Sequence, residues 1–578
     1  MIEKYYQREL SHLRDLAAEF AKAHPAVAPL LSGPSADPDV ERILEGTAFL
    51  SGLVYEKLDD DFPEIVHGLI QLIFPHYLRP IPSATLIRFT PKRSLMETVT
   101  VKAGTAIDSV ESEGTRCTFT TSYDVPLHPL ALTGSTYESQ GAESGRLTLS
   151  LALGKNLPLA KFAAKSLRFY LGGDYAEATR RYWLLFTRLR EIRLVPGEGG
   201  APLSLRPNAV RSVGFDEDET LIPFPARSFP GYRVLQEYFV LPEKFLFFDL
   251  TGLETWRSRG QGGAFSVEFY FDKLPQDMPP MRAEHFELFV TPALNLFPYH
   301  ADPILLDHKK PEYAIRPSTQ NLEHYQVFSV NKVTGFVQGT VEEREYLPFE
   351  MFNPQVEATP VFSLHHRLSP LGGKAELHLS VAYPGSGEMP KQETLSIDIM
   401  CTNSSLPETL RAGDIRMPTE TSPELADFTS IRTPTAPVQP PLGNNMLWRL
   451  LSHMFLNYLS VATPENLRSM LKLYIFTETR DRVAVLANTR RVDAISGLRV
   501  RATERFVRGR VARGQDILLT LDRQGFAGEG DMFLFGSVLD VFLGNYAAIN
   551  SFTRLTAEDT LHKERIVWPE RLGDRPLL

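Results

Sequence analysis

The hydrophobic period changes twice along this chain, and those changes limit the folds open to it. Near the start, Ile2, Tyr5, Tyr6, Leu10, Leu13, Leu16, Ala17 and Phe20 recur on one helical face, and Pro25 and Pro29 end that element. Asp37-Pro38 then offers an N-cap with proline in the first turn. It opens a second helix through Val40, Ile43, Leu44, Leu50, Leu53, Val54 and Leu58. Residues 46–55 are uncharged all round, which predicts burial. Asp61-Phe-Pro-Glu64 has the order of a capping box and predicts a third helix, stopped at Pro75.

Beyond residue 80 the period becomes two. Val99 and Val101 alternate with polar neighbours, as do Leu147, Leu149, Leu151 and Leu153. The same holds for Phe265, Val267, Phe269 and Phe271, for Ala375, Leu377, Leu379 and Val381, and for Leu395, Ile397 and Ile399. Such runs predict half-buried antiparallel strands in sandwich or barrel-like modules. Residues 405–443 are rich in Pro, Thr and Ser and read as a semi-rigid linker. Helical spacing returns at Leu447, Leu450, Leu451, Met454, Phe455, Tyr458 and Leu459, and Thr463-Pro464 starts another helix. Strands are expected over 497–522 and a last helix over 534–548. The fold class is therefore multidomain α+β. Its expected parts are a helical region 1–79, β-rich domains 80–275 and 276–404 divided near Pro275 to Pro280, the linker 405–443, and an α+β domain 444–578.

Composition excludes several function classes. With 43% hydrophobic and 23% charged residues the chain is globular, and its 43 prolines favour turns and edges over long bundles. A net charge of −9 gives no general pull toward nucleic acid or anionic membrane. Two cysteines, Cys117 and Cys401, are too few for a disulfide scaffold or a structural zinc site. The N-terminus has no apolar core of signal-peptide type, and no stretch reaches membrane-spanning length, which predicts a cytoplasmic protein.

Chemistry is sparse. There is no Walker loop, no strand-coupled Gly-x-Gly-x-x-Gly and no nucleophile elbow; Gly385-Ser-Gly387 reads as a turn. His365-His366 is an adjacent pair, which on a strand points to opposite faces and chelates poorly. Asp59-Asp-Asp61 sits at a helix boundary, and Asp216-Glu-Asp-Glu219 reads as a solvated loop. No catalytic, cofactor or metal residues are assigned, and no cofactor is expected. The sharpest charge feature is ten arginines within 480–513: Arg480, Arg482, Arg490, Arg491, Arg499, Arg501, Arg505, Arg508, Arg510 and Arg513. Without interleaved aromatics they suit a solvated or protein-binding face better than nucleic acid.

Several collinear segments carry a family resemblance. They are Tyr5-Tyr-Gln-Arg-Glu-Leu10, Asp39-Val-Glu-Arg-Ile-Leu-Glu-Gly-Thr-Ala-Phe-Leu50, Lys57-Leu-Asp-Asp-Asp-Phe-Pro-Glu64 and Pro75-His-Tyr-Leu-Arg-Pro-Ile-Pro82. Further on come Val213-Gly-Phe215, the run from Gly231 to Phe245, Asn295-Leu-Phe-Pro298 and Cys401-Thr-Asn403 with Leu406-Pro407. Trp448-Arg-Leu450, Leu456-Asn-Tyr-Leu-Ser460, Arg513-Gly514 and Asn550-Ser-Phe552 complete the set. Together they resemble the TssF (VasA/ImpG) family, baseplate wedge subunits of the bacterial type VI secretion system. One departure is Asn403-Ser-Ser-Leu-Pro407, where Arg-Asp is expected after the asparagine.

The resemblance implies a structural, non-enzymatic subunit similar to wedge proteins of contractile phage tails. It implies a second TssF copy, TssG and TssK as partners, TssE and the VgrG spike hub as neighbours, and sheath assembly on top. It places the protein in the cytoplasm, docked at the inner membrane, with membrane contact only through the machine's membrane complex. The rival readings are a β-rich glycoside hydrolase and a carbohydrate-binding module. Candidate partner residues are Tyr5, Tyr6, Leu10 and Leu13 on the first helix, which packs either with partner helices or onto residues 40–74. Arg499 and Arg501 are candidates for contacts with a neighbouring wedge.

Overall fold

The computed structural model describes residues 2–24, 38–59, 68–71, 74–140, 143–154, 157–225, 228–275, 277–339, 341–349, 360–368, 375–383, 392–442, 463–476, 481–507 and 510–573. The chain divides into two units, residues 1–74 with 441–453, and residues 75–440 with 454–578.

In the first unit, helix α1 (Ile2–Ala23) runs antiparallel to α2 (Pro38–Asp59). Arg14 of α1 is ion-paired with Glu41 near the start of α2. Near its far end Gly52 lies on the backbone of Tyr5 and Tyr6, where a Cβ would sit 3.1 Å from the Tyr6 nitrogen. Only part of the apolar surface closes. Leu10, Ala21, Ala48 and Gly52 are buried, but Phe49, Leu50, Leu53 and Val54 are exposed. The expectation that 46–55 is buried thus holds for one face of α2 alone, because α1 covers only one side. The expected capping box at Asp61 to Glu64 lies outside the described residues.

The second unit is built on sheets, and the alternation seen in the sequence survives in it. Leu147, Leu149, Leu151 and Leu153 are buried with exposed or half-buried residues between them, as are Phe265, Val267, Phe269 and Phe271. These strands pair with each other, Phe265 opposite Leu151 and Phe269 opposite Leu147, at the centre of a five-stranded sheet. Two helices of this unit, α3 (Tyr175–Thr187) and α4 (Pro230–Val240), bury most of their length. Leu395, Ile397 and Ile399 lie in an eight-stranded sheet with its own core, formed with Phe297, Leu306, Val333, Tyr346 and Leu379.

Strand pairing redraws the expected boundaries. After Pro280 the chain returns to the first β region: Phe286–Leu288 pairs with Ser166–Leu171, and Val290–Leu294 pairs with Ala84–Pro91. It enters the eight-stranded sheet at Phe297. Prolines break a strand, but they do not say which sheet the next strand joins. The expected linker 405–443 is corrected more sharply. Ile415–Met417 and Ala426–Ser430 form the two outer strands of a six-stranded sheet. Beyond them, Ile431 and Thr435 donate backbone hydrogen bonds to Leu86 and Ala84, and Val438 bridges Ile81. Proline cannot donate to a ladder, so a Pro-rich extended run belongs at a sheet edge. That is where this one lies.

The six- and eight-stranded sheets are joined by a buried amide clasp. The Asn295 side-chain amide donates to Asn403 Oδ1 (2.7 Å) and to the Thr118 carbonyl (2.8 Å), while the Asn403 backbone N–H donates to Asn295 Oδ1 (2.7 Å). Ser404, which stands where the resemblance leads one to expect arginine, adopts φ 50°.

Helical structure returns with α5 (Pro464–Leu473), N-capped by the Thr463 hydroxyl, and α6 (Arg482–Asp493), capped by Asp481. The stripe Leu447 to Leu459 lies outside the described residues. Helix α7 (Glu529–Gly544) starts five residues before the expected 534, and every residue from Gly530 to Gly544 is buried. It packs on α3 and α4, so the C-terminal segment completes the core of the first β region rather than standing apart. At the crossing with α3, a Cβ on Gly530 would lie 2.2 Å from the Thr179 carbonyl carbon, which only glycine permits.

Candidate partner surfaces

The family-like segments that carry charge converge on a buried network. Lys244, fully buried, is ion-paired with Glu237 and donates to the Gly214 carbonyl (2.7 Å). Glu237 also accepts from the backbone amides of Leu221 (2.7 Å) and Ile222 (3.1 Å). Arg233, one turn before Glu237 on α4, reaches the Phe215 carbonyl (2.7 Å). Glu219 accepts from Arg168 (3.1 Å) and from the Gly214 amide, and Arg168 grips Asp249 through two bonds of 2.8 Å. Burial lowers the Lys244 pKa and raises that of Glu219. The acidic run 216–219 is therefore not uniformly solvated: Asp216, Glu217 and Asp218 are exposed, but Glu219 turns inward.

This network spends its charges on each other and on backbone. The neighbouring space, beside Arg168 and His128, is about 20 Å³, room for about one water. Its chemistry is to fix the loop 213–222 against α4. His365 and His366 lie on strand Val361–Leu368; His365 is exposed and faces Ser380 (3.1 Å), while His366 is half-buried. Among the described residues no three His, Cys, Asp or Glu side chains are grouped to hold a metal. Cys117 and Cys401 are buried thiols whose pKa values burial pushes up to about 12.

The arginine cluster splits in two. Arg491 is buried, bonded to both oxygens of Asp531 (2.9 and 3.0 Å) and stacked over Tyr175. Arg505 bonds both oxygens of Asp516, and Arg513 bonds Glu504 (2.9 Å). Arg482, Arg490, Arg499 and Arg501 are exposed. Arg480 and Arg508, and the side chain of Arg510, lie outside the description. The expected Arg499 and Arg501 therefore sit on an accessible face, on strand Ile495–Val507.

On the helix pair, Leu10 is buried, Tyr5, Tyr6 and Leu13 are half-buried, and Leu16 and Phe20 are exposed. The larger apolar surface is on α2, where Ile43 is 67% and Leu50 64% exposed. Ile43, Leu50 and Val54 fall at i, i+7 and i+11, one line along the helix. Reading α2 as a buried helix hid them; its all-round apolar pattern was the available signal.

The chain as a whole has counterparts among known proteins. The family model for the type VI secretion system protein TssF matches residues 1–575. The chain belongs to the TssF family. A curated relative, the type VI secretion system component TssF1 of Pseudomonas aeruginosa PAO1, is 30% identical, covering 100% of this chain and 99% of its own. A solved TssK-TssF-TssG baseplate subcomplex contains a chain 29% identical with a TM-score of 0.75, covering 93% of this chain and 99% of that one. A type VI baseplate complex provides a further match at 24% identity and TM-score 0.61 over the full length of both chains, which shows the fold. Family membership makes this a structural component of the type VI secretion baseplate and favours that reading over a β-rich hydrolase or carbohydrate-binding module. No helix among the described residues is long and apolar enough to cross a membrane.

Proposed function

We propose that this chain works as a non-catalytic wedge subunit that binds TssG, TssK and a second copy of itself, close to TssE and the VgrG spike hub, and supports sheath and tube assembly. It acts in the cytoplasm, docked at the inner membrane through the machine's membrane complex. The observation that carries the reading is the α1–α2 pair, which leaves Leu16, Phe20, Ile43, Phe49, Leu50 and Val54 exposed. Each such side chain gains about 1.5–3 kcal/mol when covered, and a helix that is apolar all round needs a second surface. Tyr5, Tyr6 and Leu13 border this surface and Leu10 supports it from within.

The test is co-expression with TssG and TssK followed by mass determination of the complex. Ile43→Asp with Leu50→Asp should abolish TssG co-purification while leaving the chain folded. Unchanged co-purification would remove the helix pair as the TssG surface.

A further inference from the structure

Among the described residues the sheet that begins with the arginine-bearing strand is open along one side beyond its first residue, Ile495, whose carbonyl accepts from Arg468 (3.2 Å). Strand Ile495–Val507 pairs with Arg510–Leu521 and stands first in the sheet order. On the other side of Arg510–Leu521, Ser551–Asp559 pairs only from Arg513 onward. The hairpin end therefore runs past the rest of the sheet as a two-stranded ribbon. Natural proteins blunt such edges with charged side chains, lysine above all, or with proline, bulges or short length; here Arg499 and Arg501 supply the charge. This edge is thirteen residues long, has no lysine or proline, and its register shift lies at its very start, between Ile495 and Gly497.

Its two faces differ in chemistry. Arg499 and Arg501 share one face, are exposed, and have no side-chain partner among the described residues. The acid opposite Arg501 is Asp516, and Arg505 already occupies both of its oxygens. The other face carries Ala502 and Phe506, with Glu504 between them held in an ion pair by Arg513. Phe506 is 75% exposed and Val511, directly across from it, 71% exposed.

We propose that this edge receives a further β-strand from a partner polypeptide, an extended segment with carboxylates at alternate positions and apolar side chains between them. The carboxylates neutralise Arg499 and Arg501, the apolar residues cover Ala502 and Phe506, and the backbone fills the open ladder. A second copy of the same strand is a poor occupant, because edge pairing around this stretch sets arginine beside arginine. The proposal rests on the chain being an assembly subunit.

The experiment uses the full-length chain and a capped peptide of alternating glutamate and valine, followed by fluorescence anisotropy and amide hydrogen exchange. Binding should slow exchange within 499–507, weaken with added salt, and fall about tenfold in Arg499→Glu with Arg501→Glu. The variant should melt like the parent, since neither arginine has a side-chain partner among the described residues, and should prefer a lysine–valine peptide. No binding, equal binding of a peptide with the glutamates and valines in separate blocks, or protection elsewhere in the chain would overturn the proposal. Self-association that protects these same amides would also overturn it, by assigning the edge to a second copy. Co-purification of the parent with TssG and TssK reports separately on the assembly reading.

Discussion

Helices α2 and α7 read alike in sequence and end differently. Residues 46–55 of α2 carry no charge, and residues 532–543 of α7 carry one, Asp540. In the folded chain α7 is buried along its length, between α3, α4 and strand Ser551–Asp559. Helix α2 packs on α1 and leaves Ile43, Phe49, Leu50, Leu53 and Val54 in solvent. An all-round apolar helix states a need for burial without saying which chain meets it. For α7 the same chain does; for α2 the described residues do not.

The sharpest break of this comparison is a truncation inside α7. Phe535→Ala, at a fully buried position, should cost about 3–5 kcal/mol in denaturant unfolding of the isolated chain. A loss below about 1 kcal/mol would mean that α7 is not the core helix described. Next in size is Lys244→Met, which strips one of two cationic partners from buried Glu237, leaving Arg233 at 3.4 Å, and loosens α4, one of the covers of α7. It should cost about 3 kcal/mol, part of it recovered by adding Glu237→Gln, as a double-mutant cycle would measure.

A pH effect of about 3 kcal/mol should come from the one charge on the apolar stretch of α7. Burial pushes the Asp540 carboxyl up to about 6, against the opposing pull of Arg571. The folded state therefore holds this proton more tightly than the unfolded chain does. Stability from Asp540 is full below about pH 4 and is lost as pH rises through 6. Urea titrations should find that Asp540→Asn removes this part of the pH dependence between those limits. The smallest effect belongs to α2. Ile43→Asp with Leu50→Asp should change the stability of the isolated chain by no more than about 0.5 kcal/mol. A large loss there would show that the chain itself covers this face.

The sequence disclosed what depends on local pattern. Alternation found the strands around Leu149, Phe269 and Ile397, and Thr463 and its proline marked a helix start that the structure places there. It did not disclose pairing. Nothing local distinguishes the Pro-rich run after Ser405 from a linker, because an edge strand and a linker share extended, proline-tolerant backbone. Nor does it tell Arg491 from Arg499: both belong to one arginine-rich stretch, but a buried partner, Asp531, lies forty residues away from the first. The accessible edge beside Arg499 becomes visible only once the sheet order is known.

The late strand Ala426–Ser430 that closes one edge of the six-stranded sheet has a consequence for the sheet's birth. Ala84–Pro91 leaves the ribosome about 330 residues before Ala426–Ser430, the strand that will flank it. At about 5–20 residues per second the inner strand waits about 15–70 seconds for that neighbour. Through that interval its ladder is a template for any passing extended chain.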